Sequence, residues 1–329
     1  PITWTNDDVP ELGGDTPLET CLAETRAAGY HGTELGGKFP RESKALAGVL
    51  AAHKLDLVSG WYDGRMAERS VDEEFAAVLP HLTLLRDCGA RHVVYADTSL
   101  GRHGAIWGPI SQRPILPADE WTAYGRKLTA LAEKMRDFGV AMAFHHHMGT
   151  IVETDAEVDA LMKHTGTAVG LLFDTGHCAF SGGDPQSLLE RHLGRIVHFH
   201  CKDTRPDILK KARATDMSFM DAVLEGIFTV PGDGSIDYVP LLKKLKGAGF
   251  AGWLVVEAIA AHASPGSGVL EVRCSSRSLA PVVGVSKDSV ARAFQSLTDA
   301  GIVERVDHRD DQSGRFASTT YRVDLAAAG

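Results

Sequence analysis

The segment AMAFHHHMGTIVETD, residues 141–155, passes from small and apolar side chains directly into His145, His146 and His147, with Glu153 a few residues further on. An apolar run that ends in imidazoles fits a buried strand whose C-terminal end opens on a polar cavity. The same arrangement recurs along the chain. Candidate strands are ITW (2–4), GTEL (32–35), LDLVSG (55–60), HVVYA (92–96), VAMAFH (140–145), VGLLFD (169–174), IVHFHC (196–201) and WLVVEA (253–258). Between them lie helical patterns such as PLETCLAETRAAGY (17–30), VDEEFAAVLPHLTLLRDCGA (71–90), WTAYGRKLTALAEKMRDFGV (121–140) and YVPLLKKLKGAGF (238–250), several closed by Gly before the next strand. Apolar strands alternating with helices predict a parallel sheet covered on its outer face. Eight such units over roughly 250 residues predict an α/β fold, the (β/α)8 TIM barrel. An open doubly wound sheet ranks lower, because no G-x-G-x-x-G follows the first strand and polar residues end most strands.

In a parallel barrel the C-terminal strand ends form one rim, where barrel enzymes place their chemistry. The polar residues expected there are Asn6 and Asp7, Glu34, Trp61 and Asp63, Tyr95 and Asp97, His145, His147 and Glu153, Asp174 and His177, His198, His200, Lys202 and Asp203, and Glu257. Each has an ordinary reading. Glu257 fits a solvated strand end, Asp174 a helix cap, and the three histidines a surface tract. Their succession on the fifth to eighth strands argues for more, because titratable groups buried together are costly without a cation or a satisfied network. A divalent metal site is expected. Three carboxylates and one imidazole, with no cysteine, favour Mn²⁺, Co²⁺ or Mg²⁺ with open positions over a closed structural zinc.

Composition sets the outer limits. The 329 residues are 44% hydrophobic and carry a formal charge of -9, which argues against a protein whose main task is gripping nucleic acid. No apolar run is long enough to span a bilayer, and PITWTNDDVP lacks the features of a signal peptide, so a cytoplasmic protein with no membrane association is expected. The five cysteines show no C-x-x-C spacing and read as free thiols.

Six separated motifs, PITWTNDD, GTELGGKFP, HHHMGTIVETD, LLFDTGH, VHFHCKDTR and VPGDGSIDY, together resemble the myo-inosose-2 dehydratase family, within the xylose-isomerase-like barrel superfamily. The resemblance spans residues 1 to about 258. It implies a barrel, a Mn²⁺ or Co²⁺ requirement, a glutathione dependence, and loss of water from 2-keto-myo-inositol to a trihydroxycyclohexane-dione. It also implies a metal held by Asp174, His200 and Glu257, with either Glu153, the preferred candidate, or His145 as the remaining ligand. Dehydration β to a ketone needs a base for a carbon-bound proton and an acid for the departing hydroxyl. His177 and His147 are candidates for these roles, with Lys202 orienting or polarising the substrate and Asp203 fixing the lysine. An exposed Lys202–Asp203 pair worth little is the competing reading. Glu34, Trp61, His145, His198 and Arg205 are candidate contacts to a cyclic polyol ketone, and a homo-oligomer is expected. The runner-up functions are a ketose epimerase or isomerase and a sugar-sensing transcription regulator.

Two departures from the family stand out. The first strand would begin at residue 2, implying a trimmed or differently started chain, and the resemblance ends after Ala258. AIAAHASPGSGV (258–269) reads as a linker. Beyond it, SSRSLAPVVGVSKDSVARAFQSLTDAGIVERV (275–306) resembles a winged helix-turn-helix, with one helix at 276–283, a second at 287–301 and strands flanking DHRDDQSGRFAS. The expected division is a barrel over 1–258, a linker over 259–269 and a small winged-helix-like appendage over 270–329. From 259 onward eight Lys and Arg balance eight Asp and Glu, so weak DNA binding through Lys287, Arg292, Arg309 and Arg315 is the expectation for this part, against a fused remnant that only packs on the barrel.

Overall fold

Continuous apolar runs along the strands, and an apolar stripe along each helix, predict strands buried on both faces. The computed structural model describes residues 4–7, 9, 13–99, 108–256, 269–273, 295, 298, 303–309 and 316–324. Its strands are β1 (Gly32–Leu35), β2 (Asp56–Gly64), β3 (His92–Asp97), β4 (Ala141–His145), β5 (Val169–Asp174) and β6 (Ile196–Cys201), then a two-residue antiparallel ladder of β7 (Asp203–Thr204) with β8 (Phe228–Thr229), then β9 (Leu254–Val256). Strands β1 to β6 and β9 pair in that order into one seven-stranded parallel sheet. The helices are α1 (Leu18–Ala27), α2 (Ser43–His53), α3 (Val71–Asp87), α4 (Trp121–Phe138), α5 (Asp155–His164), α6 (Thr175–Ser181), α7 (Pro185–His192), α8 (Pro206–Ala214), α9 (Phe219–Leu224) and α10 (Tyr238–Gly247).

Among the described residues the sheet is a nearly closed barrel of seven strands. Seven of the eight expected strands are present among the described residues. Of the expected first strand only Trp4 is described, and it lies in a turn. The two edges nevertheless approach each other, since a Cβ on Gly32 of β1 would lie 3.3 Å from the Trp253 ring that precedes β9.

Strand alternation then sorts side chains between two environments. Val93, Tyr95, Met142, Phe144, Leu171, Phe173 and Phe199 point outward into the main core beneath the helices, each such burial worth about 1.5–3 kcal/mol. The intervening residues Val94, Ala143 and Leu172 form a separate small cluster, with Val197 against it. Two residues further along β4 and β5 stand His145 and Asp174, and at the end of β6 stand His198 and His200. The register pairs His145 with Leu172 and Asp174 with His200. An apolar floor therefore underlies a polar layer at the strand ends.

The expected linker and the two expected helices of the C-terminal part lie outside the described residues, except that residue 269 begins a strand and residues 295 and 298 are helical. Described by themselves, β10 (Val269–Arg273), β11 (Val303–Arg309) and β12 (Phe316–Asp324) form an antiparallel sheet in the order β10-β12-β11.

Candidate metal and proton-transfer site

Asp174 ends β5 and caps α6, its Oδ1 accepting the backbone N–H of His177 at 2.8 Å. The cap fixes the carboxylate and leaves Oδ2 facing the polar layer. That oxygen is fully buried and accepts no hydrogen bond of ordinary geometry. It lies 3.3 Å from Lys202 Nζ, 3.5 Å from His200 Nδ1 and 3.6 Å from His145 Nε2. His145 uses its Nδ1 to donate to its neighbour's carbonyl, His146 O, at 2.6 Å. A neutral imidazole that donates from Nδ1 presents a lone pair at Nε2, so lone pairs converge on one buried carboxylate oxygen. Buried lone pairs gathered in this way are costly unless cations offset them; the Lys202 ammonium is one, and a divalent ion would be another. Burial would raise the Asp174 carboxyl, but the Lys202 ammonium, helped by the neighbouring imidazoles, outweighs it and holds the group well below the usual carboxylate range.

His145, Asp174 and His200 place ligand atoms within 4.8 Å of one another, and a second such group joins Glu34, His198 and His200. The donor set of the first, one carboxylate and two imidazoles, fits a hard or borderline divalent ion. Glu257, an expected ligand, lies outside the described residues.

Glu153 stands apart from both groups. Its Oε2 accepts the N–H of Gly149 at 2.6 Å, and its Oε1 lies 3.3 Å from Arg113 Nε. Arg113 also bonds Glu157 at 2.7 Å and the carbonyl of Thr150 at 3.2 Å. Burial pushes the Glu153 carboxyl up to about 7, against the pull of the Gly149 N–H and Arg113. The preferred ligand of the sequence reading thus organises the β4–α5 loop. His145, the alternative, occupies the cluster, because it is the side chain that strand alternation points into the barrel.

The proton-transfer candidates are brought together. Lys202 Nζ lies 3.2 Å from His177 Nε2, and the ring of His177 lies 3.9 Å from that of His147, centroid to centroid. Met148 sets both tautomers: its carbonyl accepts from His147 Nδ1 at 2.8 Å, and its N–H donates to His177 Nδ1 at 3.1 Å. Burial, then neighbouring charge, holds both imidazoles well below their ordinary value, so both are neutral near pH 7. Gly176 makes the arrangement possible, since a Cβ there would come within 2.7 Å of Lys202 Cγ and 2.9 Å of its carbonyl.

Other expected site residues are placed differently. Asp203, expected to fix Lys202, is buried, and its carboxylate accepts the backbone N–H groups of Thr204, Gly232, Gly234 and Ile236 at 2.8–3.2 Å. Arg205, expected to touch substrate, bonds the carbonyls of Gly226 and Phe228 and the Thr229 hydroxyl. Arg205 thus holds β8 and the turn leading into it, and Asp203 the segment after it. His198 is fully buried and bonds Glu34 at 2.9 Å. Glu34 accepts from Ser59, His198 and His200. Burial alone would raise its carboxyl, but His200 and His198, through their hydrogen bonds and their polarity, hold it well below the usual range. Trp61 is 36% exposed, bonds Asp63 at 2.9 Å and sets its ring edgewise against those of His145 and His147. It forms an apolar wall at the mouth.

Several contributors escaped the sequence reading. His146 points away from its neighbours and accepts the Asp174 N–H at 3.2 Å, a role that alternation along the strand could have indicated. Thr175 Oγ1 bonds the Lys202 backbone and lies 2.8 Å from Tyr238 Oη. Phe219 packs against both His147 and His177, and Phe228 lies under the Lys202 ammonium. No local pattern marks these two phenylalanines.

Residues 22–274 match the xylose isomerase-like TIM barrel family. The rhizopine catabolism protein MocC of Rhizobium meliloti is 70% identical over 258 residues, which cover 78% of this chain and 79% of that protein. The inosose dehydratase of Geobacillus thermodenitrificans (strain NG80-2) is 40% identical over 260 residues, covering 78% and 87%. A crystal structure of the IolI protein with a zinc atom bound shares the fold with a TM-score of 0.54 and 18% identity, over 86% of this chain and 93% of that one.

Proposed function

This chain belongs to the xylose isomerase-like TIM barrel family, and from that premise we propose that it is a metal-dependent dehydratase, a carbon-oxygen lyase that removes water from 2-keto-myo-inositol or a closely related keto-cyclitol. The 40% identity to an inosose dehydratase supports the reaction, and the 70% identity to a rhizopine catabolism protein supports a cyclitol pathway. The observation that carries the reading is the contact of Lys202 with both Asp174 and His177, which couples a metal-type cluster to a proton relay.

His145, Asp174 and His200 would hold the ion, with Glu257 as a further candidate, and Mn²⁺ or Co²⁺ is the proposed occupant. When bound, the ion supplies Lewis-acid polarisation of a ketone oxygen. His147 acts as base. Its Nδ1–H is committed to Met148 O, so its Nε2 lone pair is the free one. His177, accepting at Nδ1, carries its proton on Nε2 and is the acid; once Nε2 has given that proton up, the Lys202 ammonium 3.2 Å away can restore it. Removal of the proton α to the ketone sends the C–H electron pair toward the carbonyl. The β C–O bond then breaks, the hydroxyl leaves as water with a proton from His177 Nε2, and the resulting enol becomes a dione. Trp61 packs on an apolar ring face, and the Asp203-tied segment after β8 keeps Lys202 in place.

The test is incubation with 2-keto-myo-inositol and added Mn²⁺ or Co²⁺, with and without glutathione, followed by mass spectrometry. Loss of one water supports the dehydratase; an isomer of unchanged mass would instead support an epimerase.

A further inference from the structure

Glu34 lies at the end of β1, across the barrel from the strands that carry His145 and Asp174. Its Oε1 gathers three donors: the Ser59 hydroxyl, His198 Nε2 at 2.9 Å and His200 Nε2 at 3.2 Å. A carboxylate only accepts hydrogen bonds, so the His200 proton on that side belongs to Nε2. Nδ1 of the neutral ring is then the lone-pair nitrogen, and it lies 3.5 Å from Asp174 Oδ2. His145 reaches the same oxygen with its other ring nitrogen, Nε2, because its Nδ1–H is given to His146 O. Each imidazole has an acceptor on its far side that turns the lone pair inward.

We propose that Glu34 is a positioning residue for the metal ligand His200, fixing its tautomer and ring orientation from behind rather than binding a substrate hydroxyl. This rests on the metal-dependent reading above. The competing use of the same atoms is a second ion between Glu34, His198 and His200, whose ligand atoms also lie within 4.8 Å of one another. Ser59 and His198 argue against it, since both already donate into the oxygen that would face that ion.

The experiment compares full-length wild type, Glu34→Gln and Ser59→Ala, stripped of metal and checked for folding by thermal melting. Each is titrated with Mn²⁺, with free ion followed by electron paramagnetic resonance. Wild type should bind one equivalent. Glu34→Gln should bind one equivalent about 10- to 100-fold more weakly, with Ser59→Ala shifted less in the same direction. In the Zn²⁺-loaded wild type, ¹⁵N imidazole spectra should place the His200 proton on Nε2 and the metal shift on Nδ1. Equal affinities in wild type and Glu34→Gln, or a His200 proton on Nδ1, would overturn the proposal. Two equivalents in wild type falling to one in Glu34→Gln would make Glu34 a ligand and overturn it as well. A wild-type chain that takes up no ion would remove the metal-dependent reading, and this inference with it.

Discussion

The rings of His147 and His177 face each other with centroids 3.9 Å apart and planes inclined by 38°. Met148 accepts a hydrogen bond from one ring at its carbonyl and donates one to the other from its N–H, so two like residues are prepared for opposite tasks. Replacing His177 with Gln should lower turnover on the order of a hundredfold or more, with bound metal unchanged. Metal analysis alongside steady-state kinetics checks this. Loss of the ion in that variant would make His177 a ligand instead.

Asp174 performs two jobs through two oxygens. Asp174→Asn keeps a cap acceptor for the His177 N–H but removes the charge from the cluster, and should release the metal and abolish activity with little loss of stability. Asp174→Ala should lose activity equally and destabilise by a further ~1 kcal/mol from the missing cap. Denaturant melts of both metal-free variants separate the two effects. Equal stabilities would contradict the capping role.

Glu153 predicts a pH signature of folding. Its carboxyl titrates at about 7 in the folded chain against an ordinary 4.5, so the folded state binds this proton more tightly than the unfolded one. The stability it contributes is complete below about 4.5 and is lost as pH rises through about 7, on the order of 3 kcal/mol. Glu153→Gln should flatten that part of the profile. Denaturation midpoints measured between pH 4 and 8 would show it, and a slope unchanged by the substitution would count against the burial argument.

The C-terminal part supplies no residue to the proposed chemistry. A chain ending near Pro265 should keep its fold and its dehydratase activity, and any DNA affinity of the full chain should be lost on the cut and fall steeply with salt before it. Aggregation or inactivity of the shortened chain would make the tail an integral part of the barrel.

Much of this was legible where a period repeats. The limits of β5 and β6 coincide with the apolar runs VGLLFD and IVHFHC, because strands buried on both faces leave an uninterrupted signature. Alternation likewise sends His145 and His147 one way and His146 the other. The position of Glu153 was not legible, since it depends on a loop turned by Gly149 at φ +80° and pinned by Arg113 from another segment. The surroundings of Asp203 and Arg205 were not legible for a related reason. The ladder that holds them has two residues per strand, too few for any period, and the bonds that define their surroundings come from 21 to 33 residues away.

The most direct measurement is of the reaction itself: metal-free full-length chain, 2-keto-myo-inositol, and ultraviolet absorbance recorded as Mn²⁺ is added. A new enedione-type absorbance that grows only with metal, accompanied by loss of one water in the mass spectrum and absent in Asp174→Asn, is the predicted result. Conversion that proceeds equally in the stripped protein, or no conversion with any divalent ion, would contradict the account.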